Sequence, residues 1–445
     1  MYNLIKDMIE TKINKFDKQS LSYTKEQAII EAGRCLNCKN PLCAKACPVG
    51  NHIPDFIKEI KNNNIEGAYQ ILLDRTVLPE ICGVVCNHQK QCQGSCVRGI
   101  KGTPIAIGAL EEYVAKYIRE NNLEEIIYTP NNKNVAIVGS GPAGMSIAYL
   151  FAKTGYKVTI YEKENYLGGV LTWGIPSFRL NKEIVNDFFN KLEKLNVSFK
   201  TNYELGKDIL IEELSDNNDY VIVANGATQP NRMNIDGEDL SYVIQANSFL
   251  TELSKMNKEE INTCDKYGKH VLVIGGGNVA IDSARSAIRL PSVEKVSIVY
   301  RRTKNEMPVS IEELEQATQE GIEIIELTSP VKFHTDNKVE CALMKLGEVD
   351  KSGRRSPIDA NAEHIYLEAD TVIMAVGFRN KPMFNNDSNK LKVDDKNRII
   401  VDDNCVTSLE NVYAIGDSVS GPDTVVNAVK QAFTVYEDIV RNSNI

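Results

Sequence analysis

The chain has 445 residues, with 51 Lys+Arg against 60 Asp+Glu and a formal net charge of −9. That length suggests two or three domains, and 42% hydrophobic with 25% charged residues is the make-up of an ordinary globular protein. The acidic balance argues against nucleic acid as a partner, no apolar run approaches the ~18 residues of a membrane span, and the start MYNLIKDMIETKINK has no apolar signal region, so a cytoplasmic protein without nucleic-acid or membrane partners is expected.

Residues 1–30 read as mostly helical, and a second helical stretch runs from Ile53 to Leu73 with Pro54 suited to its first turn. Between and after them lie eight of the eleven cysteines, from Cys35 to Cys96. A helix opened by Thr103 and Pro104 follows, and the polar run YTPNNKN at 128–134 marks a domain boundary. From Val135 to Lys163 the pattern is strand, tight Gly turn, helix, strand. VAIVG is apolar enough for a buried parallel strand. Gly139 serves the turn, Gly141 close approach to a pyrophosphate, and Gly144 tight packing of the helix on the sheet. The helix N-terminus presents free N–H groups to phosphates, and Glu162 ends the second strand where a ribose-binding acid is expected. LGGVLTWGIPSFRL follows, with a Gly pair ending at Gly169 for close backbone approach and Pro176 to break any helix. NVSFKTNYEL and YVIVANGA read as further strands.

A second boundary falls near Asp239–Ser248, after which KHVLVIGGGNVAIDSARSAIRL repeats the strand, Gly turn and helix, with Ala280 in the third position of its fingerprint. Its second strand ends in Tyr300-Arg301-Arg302 rather than an acid. Guanidinium groups match a 2′-phosphate, so the first unit is assigned to FAD and the second to NADP(H). HTDNKVECALMKL begins a β-rich return to the strand TVIMAVGF, and VYAIGDSVSGPDTVVNAVKQA is a strand, a Gly-Asp turn and a helix. Asp417 in that turn suits a flavin ribityl hydroxyl or, equally, a helix cap. Two dinucleotide units imply a hydride relay in which the cofactors carry the chemistry, so no catalytic side chain is named.

The cysteines fall in two groups, Cys35-x2-Cys38-x4-Cys43-x3-Cys47-Pro48 and Cys82-x3-Cys86-x5-Cys92-x3-Cys96. Eight thiolates suffice for two clusters of four cysteine ligands each, and the Cys before Pro follows the ferredoxin pattern. Zinc also takes four thiolates but has no redox chemistry, so iron–sulfur is preferred. Cys264, Cys341 and Cys405 stand alone and read as packing. Neither nucleotide unit holds a CxxC or CxxxxC pair, which counts against a flavin disulfide reductase.

Taken together, RCLNCKNPLCAKACPVGNHIPDFI, LPEICGVVCNHQKQCQGSCVRG, VAIVGSGPAGM, LGGVLTWGIPSFRL, VLVIGGGNVAIDSARSAIR, VYRR and AIGDSVSGPDTVV resemble the small (beta) subunit of NADPH-dependent glutamate synthase almost end to end. The module is similar to the N-terminal half of dihydropyrimidine dehydrogenase and to the large subunit of the electron-bifurcating NADH-dependent reduced ferredoxin:NADP oxidoreductase. The resemblance implies an α/β chain with two Rossmann-like dinucleotide-binding domains of glutathione-reductase type, one inserted in the other, preceded by an α-helical iron–sulfur domain. It implies a double [4Fe-4S] domain over 1–130, FAD-binding parts at 131–239 and 372–445, and an NADPH-binding insert at 240–371. It implies one cluster on Cys35, Cys38, Cys43 and Cys96 and another on Cys47, Cys86, Cys92 and Glu111. Cys82 is then spare, whereas spacing alone makes Cys82 the eighth ligand. Arg179, Asp417, Thr424 and Val425 are implied to contact FAD, and Gly275, Gly277, Asn278, Arg301, Arg302 and Gly377 to line the NADPH site.

The function expected is electron input. NADPH electrons pass through FAD and two [4Fe-4S] clusters to a partner, either a larger glutamate synthase subunit that forms glutamate from glutamine and 2-oxoglutarate, or a smaller flavin and iron–sulfur subunit of a bifurcating enzyme. A non-catalytic iron–sulfur relay is the competing class, and the intact glycines, Glu162 and paired arginines argue against it.

Overall fold

The computed structural model describes residues 22–256, 258–350, 352–381 and 391–442. They form two bodies, one holding Lys18–Thr172, Arg179–Gln229 and Arg379–Ile445, the other Trp173–Phe178 and Pro230–Phe378.

The first body begins with helices α1 (Lys25–Gly33), α2 (Leu42–Ala46), α3 (Ile53–Lys61), α4 (Ile65–Leu73), α5 (Pro79–Val85) and α6 (Ile107–Glu120). Thr24 and Gln27 close a capping box at the start of α1, which satisfies two otherwise orphaned backbone donors. Of the stretch 1–30 expected to be helical, residues 1–21 lie outside the described residues. The stretch from Ile53 to Leu73 is two helices, not one. Asn63 takes a φ of 58°, which Asn tolerates better than most residues, and the Asn64 side chain caps the next helix by accepting from Gly67 N at 3.1 Å. Helix α6 starts later than Thr103 and Pro104 suggest. The Thr103 carbonyl accepts from Arg34 Nη2 at 2.6 Å and Ala106 N donates to Glu31 Oε1 at 2.9 Å, so these residues are held as a loop. Ile53, Phe56, Ile57, Ile60, Leu72, Leu110 and Val114 make one shared core.

The same body then builds a parallel sheet from β1 (Asn134–Val138), β2 (Lys157–Glu162), β3 (Ser198–Thr201) and β4 (Tyr220–Val223), joined late in the chain by Val412–Ala414. Its order is Val412–Ala414, β4, β1, β2, β3. Val135 stands opposite both Val158 and Tyr220. Helices α7 (Pro142–Lys153) and α8 (Lys182–Lys194), and the final helix Val425–Asn442, belong to this body. Val135, Ala136 and Ile137 are fully buried, as strands covered on both faces must be.

The second body repeats the plan. A parallel sheet runs in the order Val243–Gln245, Thr371–Met374, His270–Ile274, Lys295–Val299, Glu323–Ile325. The helix Asn278–Ala287 follows its central strand. A separate antiparallel sheet of Thr328–Phe333, Lys338–Val349, Arg355–Asp359 and Ile365–Glu368 is the β-rich return expected from HTDNKVECALMKL, and it starts earlier, at Thr328. In both parallel sheets the order reverses beside the strand that leads into a Gly turn, Asn134–Val138 in the first and His270–Ile274 in the second, which is where open α/β sheets bind dinucleotides.

Candidate functional site

The two Gly turns have the same construction. Gly139 sits at φ +102° and a Cβ there would meet the Ala224 carbonyl oxygen at 2.4 Å. Gly275 sits at φ +138° and a Cβ there would meet the Ala375 carbonyl oxygen at 2.3 Å. Each turn therefore lies against the end of the neighbouring strand across the reversal point, with a backbone shape that only glycine adopts cheaply. Gly141 and Gly277 come next, and a Cβ on either would meet nothing within 4 Å. Each is the N-cap of its helix, so open space lies over free backbone N–H groups where phosphates bind. Gly144 touches the turn behind it, its Cβ position lying 1.9 Å from the Gly139 oxygen. In the second unit Ala280 is fully buried. Gly276, which sequence reasoning passed over, lies beside the Tyr300 ring, which a Cβ at that position would meet at 2.4 Å.

Around the first turn the structure gathers several expected residues. The Cβ position of Gly169 is 3.0 Å from Gly141 Cα, and that of Gly416 is 2.9 Å from Ala143 Cβ in the first turn of α7. Asp417, next to Gly416, accepts from Asp423 N at 3.1 Å, and burial lifts its carboxyl to about 6. Thr424 and Val425 lead into the final helix, with the Thr424 carbonyl accepting from Asn427 N and Ala428 N. The carboxylate of Glu162 reaches back to the turn. Its Oε2 accepts from Ser140 N at 2.9 Å and Ser140 Oγ at 2.5 Å, and its Oε1 from Glu164 N at 3.0 Å. A carboxylate offers about four lone-pair sites, so one remains for a ribose hydroxyl. Arg179 is half-buried in the first body.

In the second body the arginine pair divides. Arg302 is buried, donating from Nε to the Arg355 carbonyl at 2.7 Å and pairing with Asp350 at 2.8 Å. Arg301 is exposed. Gly377, at φ +92°, accepts from Asn231 N at 3.0 Å. Phe178 lies under the guanidinium groups of Arg285 and Arg289, at 4.9 and 4.1 Å.

The cysteines also separate into two sites. Cys35, Cys38, Cys43 and Cys96 line one cavity with Ile53, Ile57, Ile105 and Ile107. Burial lifts the Cys43 thiol to about 11 and also raises Cys35, and the neighbouring thiols add to both shifts. Cys47, Cys86 and Cys92 each lie within electrostatic reach of Glu111, and Cys82 lies within reach of Cys47, Cys86 and Glu111; burial is the main upward push on Cys47, Cys92 and Glu111, whereas for Cys86 the bond to Cys82 comes first. Such thiols ionise only beside a compensating cation, as iron provides. No three such side chains among the described residues close on a single point as around one metal ion; a four-iron cluster takes one ligand per iron and so asks for a wider ring.

Glu111 and Cys82 both adjoin the second site. Cys82 is one helical turn before Cys86 on α5 and sits 3.7 Å from Thr76 Oγ1. A buried thiol is at home without a strong partner. Glu111 is only 7% exposed, and no hydrogen bond or ion pair joins its side chain to the described residues. His88 completes the surroundings, and sequence reasoning missed it: its ring abuts Gly108, Nε2 is buried without a partner, and burial holds the imidazole down at about 4. Its place in CNHQKQC, between Cys86 and Cys92, was the available signal.

A model of the pyridine nucleotide-disulphide oxidoreductase family matches residues 133–432, and one of dihydropyrimidine dehydrogenase domain II, 4Fe-4S cluster, matches residues 12–123. The small chain of NADPH glutamate synthase from Escherichia coli is 33% identical over 94% of this chain and 92% of its own. The beta subunit of NADP(+)-dependent formate dehydrogenase from Moorella thermoacetica is 35% identical over 87% of this chain and 58% of its own. FprA of Mycobacterium tuberculosis in complex with NADPH shares the fold, with a TM-score of 0.60 and 23% identity over 71% of this chain and 85% of that one. Turns, helices and cysteine sites thus define an FAD-dependent, NADP-binding oxidoreductase with a 4Fe-4S domain. Within that class the chain belongs to the family of the glutamate synthase small subunit. No helix among the described residues is long and apolar enough to cross a membrane.

Proposed function

We propose that this chain takes electrons from NADPH and delivers them, through FAD and two [4Fe-4S] clusters, to a larger catalytic partner, the glutamate synthase large subunit. The observation that carries the two-cluster reading is the buried neighbourhood of Cys47, Cys86, Cys92 and Glu111, distinct from the cavity of Cys35, Cys38, Cys43 and Cys96. A carboxylate without a partner in such a place costs several kcal/mol; as a cluster ligand it is satisfied, whereas Cys82 already has Thr76 beside it.

The flavin, when bound, supplies the conversion of two-electron hydride chemistry into the one-electron steps that iron–sulfur clusters accept. The side chains bind and orient. Gly139, Gly141 and Gly144 with the start of α7 hold the FAD pyrophosphate. Glu162 spends its remaining lone pair on a ribose hydroxyl, and Gly169, Arg179, Asp417, Thr424 and Val425 complete the flavin site. Gly275, Gly277, Asn278 and Gly377 do the same for NADPH. Arg301 supplies the charge for the 2′-phosphate, and Arg302, tied to Asp350, shapes the loop that presents it.

The test is reconstitution. The holo chain mixed with the Escherichia coli glutamate synthase large subunit is expected to form glutamate from glutamine and 2-oxoglutarate at the expense of NADPH. Dye reduction by NADPH without glutamate formation would move the assignment to another partner. Loss of both would remove the electron-input reading itself.

A further inference from the structure

Each parallel sheet ends in a row of residues along its binding edge. In the second body Gln245 stands opposite Met374, Met374 opposite Ile274, and Ile274 opposite Val299. Ile274 leads into the Gly275 turn, and Val299 into Tyr300 and Arg301. Neighbouring strands lie about 4.8 Å apart, so the row puts Gln245 about 10 Å from the turn, on the side away from Arg301. In the first body the matching row is Ala414, Val223, Val138 and Tyr161. Val138 leads into the Gly139 turn, Tyr161 into Glu162, and Ala414 into Ile415, Gly416 and Asp417.

A dinucleotide held at its pyrophosphate by a Gly turn extends both ways along such an edge. Under the proposed function Glu162 and Arg301 mark the adenosine side of the two units. Asp417, just beyond Ala414, marks the side of the redox-active ring in the first. In both sheets the edge strand, its neighbour, the Gly-turn strand and the strand that ends at the ribose follow in that sequence. The redox-active ring of the second unit, the nicotinamide, therefore falls on the side of the strand Val243–Gln245.

The two edge strands end differently. Ala414 is apolar and fully buried. Gln245 brings an amide whose Oε1 is buried with no hydrogen-bond partner among the described residues. It is the N-cap of the helix Ala246–Lys255, yet its side chain makes no capping bond. Met374 and Ile274, which follow it in the row, are buried and apolar. A buried amide oxygen without a donor destabilises a fold, and packing alone asks for no more than the alanine of the first unit. The carboxamide of a nicotinamide ring both donates and accepts, as the Gln side chain does, so the two match whichever way the amide is turned. Resting on the proposed NADPH site, we infer that Gln245 binds the nicotinamide carboxamide. Arg301 selects the nucleotide by its phosphate, and Gln245 orients the ring that carries the hydride. A bond to the carboxamide fixes the rotation of the ring about its glycosidic bond, and so the face that its C4 presents.

The experiment is equilibrium binding to the holo chain, read by calorimetry with three probes. They are NADP+, its 3-acetylpyridine analogue, whose acetyl group has no N–H, and 2′,5′-ADP, which keeps the phosphorylated ribose but has no nicotinamide. Gln245→Leu should weaken NADP+ about 5- to 10-fold, the worth of one or two neutral hydrogen bonds, and leave 2′,5′-ADP within about twofold. The parent should prefer NADP+ to the acetylpyridine analogue by about fivefold, and Gln245→Leu should bind the two about equally. Arg301→Ala should weaken NADP+ and 2′,5′-ADP alike. With the unpartnered oxygen gone, the nucleotide-free Gln245→Leu chain should melt no lower than the parent. Equal losses of NADP+ and 2′,5′-ADP in Gln245→Leu would overturn the assignment and make Gln245 structural, and no loss of either would also overturn it. A parent that binds neither NADP+ nor 2′,5′-ADP would remove the proposed NADPH site and this subsite together. A parent that prefers NAD+ would remove only the 2′-phosphate reading, and the same comparison between NAD+ and ADP then decides on Gln245.

Discussion

Arg301 and Arg302 are adjacent and chemically identical, yet their surroundings differ, the first exposed and the second buried and paired with Asp350. The exposed Arg301 is expected to carry nucleotide choice. Arg301→Ala should raise KM for NADPH by about 10- to 100-fold, the worth of one charge-assisted hydrogen bond, and leave NADH kinetics within about twofold of the parent. Equal losses for both nucleotides would remove the 2′-phosphate assignment. Arg302→Ala should also lower the melting temperature, because it leaves Asp350 without its cation and strips a donor from the Arg355 carbonyl. The division was not legible in the sequence: VYRR gives no hint that Asp350, 48 residues on, closes over the second arginine. The proposed ligand role of Glu111 against Cys82 is testable in the same way. Glu111→Ala is expected to cost one cluster's iron and change its spectrum, and Cys82→Ala to leave both assembled; the reverse pattern would transfer the role to Cys82. Asp417 sets a pH dependence. Burial raises its carboxyl to about 6, so between the ordinary ~3.9 and about 6 the folded chain binds a proton that the unfolded chain does not. Stability of the FAD-free chain should therefore fall as pH rises through that window. Asp417→Asn should flatten the dependence in thermal melts, and an unchanged slope would contradict the assignment.

At the scale of elements, one polar cluster joins three helices of the first body. Glu124, in the segment after α6, accepts from Tyr69 of α4 at 2.7 Å, from Tyr149 of α7 at 2.7 Å and from Lys191 of α8 at 2.6 Å. Burial works against the Glu124 charge, but Lys191 and the two hydroxyls outweigh it and hold the carboxyl below its usual range. Lys191 also lies over the Tyr149 and Phe188 rings, at 5.3 and 5.2 Å. Glu124→Ala leaves a buried ammonium unpaired and should cost about 3–5 kcal/mol in denaturant melts. A loss below about 1 kcal/mol would mean that the cluster is no more than a surface ion pair. Nothing in the sequence foretold this junction, since its four members are spread over residues 69–191 and each reads locally as an ordinary helical or linker residue. Elements with strong local signals were legible. VAIVG and VLVIG fold as buried strands because an apolar run ended by a Gly turn admits few alternatives. The break at Asn62-Asn63-Asn64 was missed because apolar spacing continues across it, and the triple Asn that ends one helix and caps the next was the overlooked sign.

Over the whole molecule, duplication is the organising fact. Both parallel sheets set their Gly-turn strand at the centre with the same neighbours, differing in whether the edge strand comes last (Val412–Ala414) or first (Val243–Gln245) in the chain, and both Gly turns close on the carbonyl of the neighbouring strand. Only the fold is repeated, and the differences carry the assignment: Glu162 hydrogen-bonded to its own turn in the first unit, Arg301 exposed in the second. The helical part gathers its cysteines from two stretches of chain, so that Cys96 joins Cys35, Cys38 and Cys43. Spacing alone cannot reveal such a grouping, because it depends on how α3 and α6 pack. The most direct test of the account is an anaerobic titration of the purified chain with NADPH, followed by optical and electron paramagnetic resonance spectra alongside iron and sulfide analysis. The account expects the flavin to bleach on NADPH addition and iron and sulfide at about eight each per chain, as two four-iron clusters require. A chain that carries zinc or a single cluster, or whose flavin NADPH leaves oxidised, would contradict it.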